Sequence, residues 1–232
     1  LTGVLADYYF APTLKAKQNL LREGVDESRI YVTGNTVIDS LLYIVKDNYE
    51  FVDPVLKNIN FEKKIILLTI HRRENFGKPL RDVCYAVKDI VGLSEQIEVV
   101  CPVHLNPNVS GVVRDVLGGN DKIHLIEPLD YKAFVHLMNK SYLILTDSGG
   151  IQEEAPSLKK PVLVLRSVTE RPEAIEAGTA RLVGTNRQVI VSQAQKLLED
   201  KDEYNKMSAK ENPYGDGKAG ERIADILREV LL

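Results

Sequence analysis

The sequence predicts a doubly wound α/β domain with a parallel sheet, flanked at both ends by shorter segments. Short β-branched runs that are apolar on both faces alternate with amphipathic helical patterns through the middle of the chain. Each run ends in polar residues, and a helical pattern follows. Alternation at this spacing implies right-handed crossovers between parallel strands. The fold class is therefore Rossmann-like α/β.

The elements of this domain can be assigned in order along the chain. The predicted strands are residues 65–70, 97–103, 123–126, 143–146, 161–165 and 180–183. The predicted helices lie near 78–93, 108–117, 130–139, 150–157, 171–177 and 188–199. We take residues 65–215 as the central domain.

The flanking segments have a different organisation. Residues 1–34 carry another strand–helix–strand set, at 6–11, 14–23 and 29–33, which we interpret as the tail of a truncated N-terminal α/β domain. Residues 35–64 read as a linker or hinge, because the part from 47 onward is polar, aperiodic and contains Pro54. A turn-rich cluster then precedes a closing helix in residues 216–232.

Composition narrows the class of protein. A length of 232 residues with 44% hydrophobic and 27% charged residues is typical of one large globular domain, or one plus part of a second. The net charge of -3 argues against a nucleic-acid partner. No apolar run approaches the roughly 20 residues that span a bilayer, and the first residues lack the charged-then-apolar layout of a signal peptide, so we expect no membrane partner.

Two further features bear on the setting of the chain. Cys84 falls in a helical pattern and Cys101 in a strand-like run, which favours buried, reduced thiols and a cytoplasmic location. The first residue is Leu rather than Met, so we expect a fragment or a processed chain.

The sharpest motif is Asp147-Ser148-Gly149-Gly150, between a predicted strand and a predicted helix. Ligands of open parallel sheets bind at the carboxyl ends of the strands. Two glycines allow close approach of a ligand to the backbone, and the start of a helix attracts phosphate. The alternative is a tight turn with Ser148 as the helix N-cap.

An acidic pair follows this motif. Glu154 is placed to accept both hydroxyls of a ribose, whereas Glu153 fits a favourable charge near the start of the helix. The alternative is that Glu153 and Glu154 both serve only as favourable negative charges near the start of the helix.

Basic and imidazole groups gather at other strand ends. His71-Arg72-Arg73-Glu74-Asn75 follows the first central strand, and His104 follows the next. Guanidinium groups suit phosphate, and an imidazole can protonate a leaving phosphate. A solvated loop with an Arg72–Glu74 pair is the alternative. Arg171 either reaches the same ligand or caps a loop.

Other chemistries lack support in the sequence. His124 falls within a strand and His136 within a helix, so we interpret both as structural. We find no CxxC or HExxH metal spacing, no GxSxG elbow, no Walker loop and no GxGxxG, so we expect no metal and no cofactor.

Together these motifs resemble the non-hydrolysing UDP-N-acetylglucosamine 2-epimerases. The similarity covers nearly the whole chain and includes these segments in order: residues 10–13, 19–24, 32–36, 71–75, 102–107, 147–154 and 171–173. The resemblance implies the C-terminal domain of a two-domain glycosyltransferase-B-type fold. It implies interconversion of UDP-N-acetylglucosamine and UDP-N-acetylmannosamine, by elimination of UDP to 2-acetamidoglucal and re-addition.

The resemblance also implies roles for individual residues. Ser148, Gly149 and Gly150 would hold the diphosphate, Glu154 the ribose, and the backbone at Phe134 the uracil. His71, as a catalytic residue, and Arg171 would lie at the phosphates and the reacting bond. An activating UDP-N-acetylglucosamine, bound by some members, would contact Arg72, Glu74 and His104.

The resemblance leaves several points open. The carboxylates thought to move the C2 proton belong to an N-terminal domain that we do not find in this sequence, so we expect UDP binding but little turnover from this chain alone. The closing helix would pack on that other domain, and a homodimer is implied. A hydrolysing epimerase, a glycosyltransferase donor domain and a non-catalytic nucleotide-sugar-binding module are the alternatives.

Overall fold

A computed structural model describes residues 2–231 of the chain. They form two compact units, one of residues 45–211 and the other of residues 2–44 together with 212–231.

The elements follow one another in strand–helix alternation. The strands are β1 (Tyr9–Ala11), β2 (Ile30–Val32), β3 (Lys64–Thr69), β4 (Ile97–Pro102), β5 (Ile123–Ile126), β6 (Leu143–Thr146), β7 (Val162–Val164) and β8 (Ala180–Leu182). The helices are α1 (Thr2–Leu5), α2 (Leu14–Arg22), α3 (Thr36–Ile44), α4 (Pro54–Lys57), α5 (Lys78–Gly92), α6 (Pro107–Leu117), α7 (Tyr131–Lys140), α8 (Gly149–Glu154), α9 (Pro172–Glu176), α10 (Arg187–Glu199), α11 (Lys201–Ser208) and α12 (Ala219–Leu231). Short 3-10 turns cover Glu27–Arg29, Arg73–Asn75 and Ala155–Leu158.

The larger unit is built on a six-stranded parallel sheet in the order β5-β4-β3-β6-β7-β8. The chain moves outward from β3 to β5 and then returns to place β6 on the other side of β3. Strand order therefore reverses between β3 and β6, and their carboxyl ends, at Thr69 and Thr146, lie side by side in register. Ligand sites of such sheets form at this reversal.

The core of this unit lies between the sheet and its helices. Ile65 to Leu68 of β3 are fully buried on both faces, which explains the unbroken apolar run in the sequence. Helix α5 packs against both α6 and α10, and its apolar side chains join those of β3 and β4 in one cluster. The site at the carboxyl edge therefore stands on a closely packed base.

The smaller unit joins the two ends of the chain. Strands β1 and β2 form a parallel pair, and α12 packs on α3. Asp39 of α3 accepts hydrogen bonds from the backbone N–H groups of Ala219 and Gly220, which caps the start of α12. Gly34 (φ 91°) and Gly215 (φ 136°) approach so closely that a Cβ on either would lie 3.4 Å from the other's Cα.

Element positions in the central domain are confirmed to within about a residue or two, and Cys84 and Cys101 are buried in α5 and β4 as expected. The compact units, however, divide after residues 44 and 211, not at 34, 64 and 215. The predicted linker contains helix α3, whose Ile38 and Leu41 are fully buried. Leu232, the last residue of the predicted closing helix, lies outside the described residues.

Candidate active site

Asp147 organises the edge of the sheet where β3 and β6 end. Its carboxylate is fully buried and accepts hydrogen bonds from the backbone N–H groups of His71 (3.0 Å) and Arg72 (2.8 Å). It also accepts from the Asn75 side-chain amide at 3.0 Å. One side chain at the end of β6 therefore fixes the whole loop that follows β3.

Beneath it, hydroxyl groups join the two strands. The Thr69 and Thr146 hydroxyl oxygens are 2.6 Å apart, and Thr146 accepts from the Ser148 N–H at 2.9 Å. Ser148 occupies the N-cap of α8 with extended backbone, but its side chain makes no capping hydrogen bond. The alternative interpretation of Ser148 as a side-chain cap of α8 predicted that hydrogen bond, which this structure does not show.

Two guanidinium groups converge on the glycine turn. A Cβ built on Gly149 would lie 3.7 Å from Arg171 Cζ and 3.7 Å from an Arg72 terminal nitrogen. The Glu153 carboxylate accepts from Arg171 Nε in an ion pair. Glu153 lies beyond the first turn of α8, where the expected helix-charge role would act. Arg72, Arg171 and the turn thus lie together, although they come from three separate loops.

The two arginine loops are linked by a residue that the sequence did not single out. Arg166 follows β7, is almost fully buried, and donates to Glu74 at 2.6 Å and to Glu170 at 3.0 Å. The Oε1 atom of Glu170 lies 3.9 Å from Arg72 Nη1. Hydrogen bonding to Arg166 lowers the pKa of Glu170 to about 2. The alternative of an Arg72–Glu74 pair is therefore wrong, because Glu74 is engaged by Arg166.

Glu154 lies at the end of α8, mostly buried. Its Oε2 accepts a hydrogen bond from the Tyr131 hydroxyl at 2.6 Å. Burial raises the pKa of Glu154, and the Tyr131 hydrogen bond acts in the opposite direction. The carboxylate is thus a fixed acceptor beside Gly150, since a Cβ there would lie 3.5 Å from Glu154 Oε1.

His71 and His104 form a stacked pair with ring centroids 5.6 Å apart. The Nδ1 atom of His71 lies 3.3 Å from Asp147 Oδ1, and His104 Nδ1 accepts from the Asn106 N–H at 3.1 Å. A carboxylate at Nδ1 favours a proton on that nitrogen, which makes Nε2 of His71 the atom that can exchange a proton with a ligand.

The remaining histidines and Phe134 also belong to the larger unit, and Phe134 shares helix α7 with Tyr131. His124 in β5 pairs with Glu98 at 2.7 Å, and the buried His136 in α7 stacks on Tyr49. Phe134 also belongs to α7, and its backbone N–H donates to the Asp130 carbonyl at 2.9 Å. A uracil contact at Phe134 would therefore involve a backbone that already takes part in a helical hydrogen bond.

Residues 2–231 show neither a metal site nor a membrane-spanning helix. No group of three or more His, Cys, Asp or Glu side chains there is arranged to hold a metal ion. Among the helices described, none has the length and apolar content needed to cross a bilayer.

Fold and site together define a class: a Rossmann-like α/β protein of the glycosyltransferase-B type with basic and acidic groups gathered where the strand order reverses. Comparison with known proteins then identifies the family. The profile of the UDP-N-acetylglucosamine 2-epimerase family matches residues 1–228, and the chain belongs to that family.

Curated relatives agree with this assignment. The UDP-N-acetylglucosamine 2-epimerase of Escherichia coli K12 is 52% identical over 241 residues, covering 98% of this chain and 62% of the relative. That of Bacillus subtilis 168 is 53% identical over 227 residues, covering 98% of this chain and 59% of the relative. The chain thus spans 59% to 62% of the length of these relatives.

Solved structures give the same result. S. aureus MnaA, in a co-structure with UDP, is 50% identical with a TM-score of 0.92, covering 99% of this chain and 62% of that one. The Neisseria meningitidis UDP-GlcNAc 2-epimerase bound to UDP-GlcNAc is 44% identical with a TM-score of 0.89, covering 98% and 63%. The wall teichoic acid polymerase TagF, at 15% identity and a TM-score of 0.59 (98% and 58% covered), shares the fold alone.

Proposed function

We propose that this chain is the UDP-binding half of an epimerase that interconverts UDP-N-acetylglucosamine and UDP-N-acetylmannosamine by eliminating UDP and adding it back. The proposal concerns the whole protein, because the chain spans only 59% to 62% of its curated relatives. Family membership supports it, as do a relative in a co-structure with UDP and another bound to UDP-GlcNAc.

The observation that carries the proposal is the convergence of Arg72 and Arg171 on Gly149. A diphosphate over this turn would receive hydrogen bonds from two planar guanidinium groups and from backbone N–H groups of the first turn of α8. Gly149 and Gly150 leave room for close approach, and the Ser148 hydroxyl adds a donor. This arrangement suits a diphosphate better than a single carboxylate, because donors arrive from several directions.

The same donors can assist departure of UDP. Breaking the bond between the sugar and the β-phosphate leaves negative charge on phosphate oxygen, which fixed cationic groups stabilise. His71 is proposed as the catalytic residue. Asp147 lies beside Nδ1 and orients the ring, and when both ring nitrogens carry a proton Nε2 can donate a proton or hydrogen bond to the departing phosphate. Elimination also removes the proton from C2, which leaves 2-acetamidoglucal. In the reverse direction the same groups hold UDP while its β-phosphate oxygen re-forms the bond to C1 and a proton adds to the opposite face of C2.

The nucleoside end is assigned to the other side of the turn. Glu154, whose carboxylate lies beside Gly150, is proposed to bind the ribose hydroxyls. Phe134 is proposed to contact the uracil through its backbone. A carboxylate accepts hydrogen bonds from two vicinal hydroxyls readily, which supports a ribonucleotide ligand.

Arg72, Glu74 and His104 remain candidates for contacts with an activating UDP-N-acetylglucosamine. Arg72 lies over Gly149, Glu74 is bound to Arg166, and His104 stacks on His71, so a ligand reaching them would adjoin the catalytic groups. We further propose a homodimer in the cytoplasm, where Cys84 and Cys101 would stay reduced.

Calorimetric titration of UDP into this chain, beside ADP and a Glu154→Ala variant, tests the binding half. We expect UDP to bind in preference to ADP, and the variant to weaken UDP by about tenfold or more, since hydrogen bonds to a charged group are lost. Equal binding of UDP and ADP, or an unchanged affinity in Glu154→Ala, would contradict the assigned nucleotide site.

Turnover is tested on the protein as the cell makes it. Product analysis should find UDP-N-acetylmannosamine, whereas free N-acetylmannosamine would indicate a hydrolysing enzyme. His71→Asn separates an enzyme from a non-catalytic binding module: an enzyme loses turnover while UDP still binds, and a binding module changes only in affinity.

A further inference from the structure

One contact beside the glycine turn has no part in the reaction proposed above. Tyr131, the first residue of α7, donates its hydroxyl hydrogen to Glu154 Oε2 at 2.6 Å. The two residues belong to different helices and are 23 positions apart. Tyr131 is about 40% exposed, whereas Glu154 is 8% exposed. A half-exposed phenol therefore holds a buried carboxylate.

The hydrogen bond from Tyr131 leaves the two carboxylate oxygens of Glu154 facing different neighbours. Oε2 faces Tyr131, and Oε1 lies 3.5 Å from the point that a Cβ on Gly150 would occupy. The oxygen on the side of the glycine turn is thus held where a nucleoside bound there would present its hydroxyl groups. Without the phenol, rotation about the Glu154 side-chain bonds would carry Oε1 away from this position.

The charge on Glu154 depends on the same neighbour. Burial raises the pKa of Glu154, Tyr131 lowers it through the hydrogen bond, and the nearby carboxylate of Glu153 raises it. Glu153 is itself paired with Arg171. Tyr131 is therefore the neighbour that opposes protonation of Glu154, and an ionised carboxylate is the stronger acceptor.

We propose that Tyr131 determines the preference of this site for ribose over 2′-deoxyribose by fixing the position of the Glu154 carboxylate. Tyr131 acts as a positioning residue and need not touch the nucleotide. The inference rests on the proposed UDP site and goes beyond it, because it assigns the sugar specificity of that site to a residue outside the nucleotide-binding motifs.

The test compares UDP with 2′-deoxy-UDP by calorimetry in the unaltered chain, in Tyr131→Phe and in Tyr142→Phe. Tyr142→Phe is the matched control, since it removes a hydroxyl that donates to the Leu197 carbonyl in another part of the unit. We expect the unaltered chain and the control to prefer UDP by about tenfold or more, the effect of one hydrogen bond to a charged group. Tyr131→Phe should reduce this preference to less than about threefold, mainly by weakening UDP.

A pH series supplies a readout that general loosening of the fold would not move. Loss of the phenol raises the pKa of Glu154, so the preference for UDP over 2′-deoxy-UDP should disappear at a higher pH in Tyr131→Phe than in the unaltered chain. The deoxy ligand corrects for titration of the phosphates. Folding of each variant is checked by circular dichroism.

The outcomes separate this inference from the proposed function. If the unaltered chain fails to bind UDP, the proposed function and the inference both fall. If it binds both nucleotides equally, UDP binding stands and the role of Tyr131 is refuted. An undiminished preference in Tyr131→Phe with an unshifted pH dependence refutes it as well.

Discussion

Replacing Asp147 with Asn removes one charge at the end of β6 and leaves the size of the side chain unchanged. The carboxylate is fully buried and accepts hydrogen bonds of 2.8 to 3.1 Å from the His71 and Arg72 backbone N–H groups and the Asn75 amide. Only one of the two terminal atoms of an Asn side chain accepts, and the other donates. Oδ2 accepts from all three donors, whereas Oδ1 accepts only from the His71 N–H at 3.1 Å. An Asn that keeps its oxygen at the Oδ2 position therefore turns its NH2 group toward the His71 N–H, as a buried donor without an acceptor.

The cost can be estimated from these contacts. Two hydrogen bonds that lose their charged acceptor weaken by about 1 kcal/mol each, and one buried donor without a partner costs about 1–3 kcal/mol, for a total of about 3–5 kcal/mol. At about 2–4 °C per kcal/mol, a protein of this size should melt about 10 °C lower. UDP affinity should fall too, because the loop that carries Arg72 loses its anchor.

Thermal unfolding followed by circular dichroism and UDP calorimetry measure the two effects. Asp200→Asn is the matched control, because Asp200 also accepts from two backbone N–H groups, as the N-cap of α11. Asn caps helices as well as Asp, so the control should stay within about 0.5 kcal/mol of the unaltered chain. If Asp147→Asn has the same melting temperature as the control and the same affinity for UDP as the unaltered chain, Asp147 does not organise the site.

Three other perturbations test separate parts of the argument. Gly149→Ala should fold normally, because its Cβ meets only ordinary contacts at 3.7 Å, yet lose UDP affinity by about tenfold or more in calorimetry since the methyl group occupies the diphosphate position. Normal affinity would refute the phosphate assignment. Arg166→Met should lower the affinity for UDP on the order of tenfold, because the loops that carry Arg72 and Arg171 are no longer linked. Arg187→Met, which removes a surface ion pair with Asp89, should leave the affinity unchanged. Equal affinities in the two variants would contradict the linking role of Arg166. Burial raises the pKa of both cysteine thiols to about 12, so a chromogenic disulfide reagent at pH 8 should label them only after denaturation, and rapid labelling of the folded chain would show that they are accessible.

The sequence predicts the central sheet well because its strands are buried on both faces. The run at β3 has no exposed face to interrupt it, and the polar residues after Thr69 mark where the strand leaves the core. Helix α3 was missed for the opposite reason. It is short, and its buried Ile38 and Leu41 belong to a helix that packs on α12, far away in the sequence, so local pattern does not reveal it.

Helix α11 was also missed, and here a signal was present. The helix is polar and buries Met207 as its one core residue, so no apolar stripe stands out in the sequence. Asp200, however, caps it by accepting from Asp202 and Glu203 N–H groups. An Asp before an otherwise featureless polar segment was the available evidence for a helix start.

The residues of the candidate site also fall into two groups, those that the sequence predicts and those that it does not. Residues in motifs at strand ends could be found, because the topology of a parallel sheet brings those ends to one edge. Arg166 and Tyr131 could not, because their roles depend on partners that the fold supplies from elsewhere. Arg166 meets Glu74 across 92 positions of sequence, and nothing in the residues around Arg166 indicates that pairing.

The acidic groups at this edge orient the basic ones more than they cancel their charge. Glu153 engages Arg171 through Nε, which leaves a terminal nitrogen of the same planar group directed at Gly149. Asp147 lies on the Nδ1 side of His71, which leaves Nε2 for a ligand. A guanidinium has five donors, so a carboxylate that uses one edge fixes the direction of the others. Donors aimed in advance need little reorganisation when charge develops on a leaving phosphate, and this accounts for so many acids beside a proposed diphosphate site.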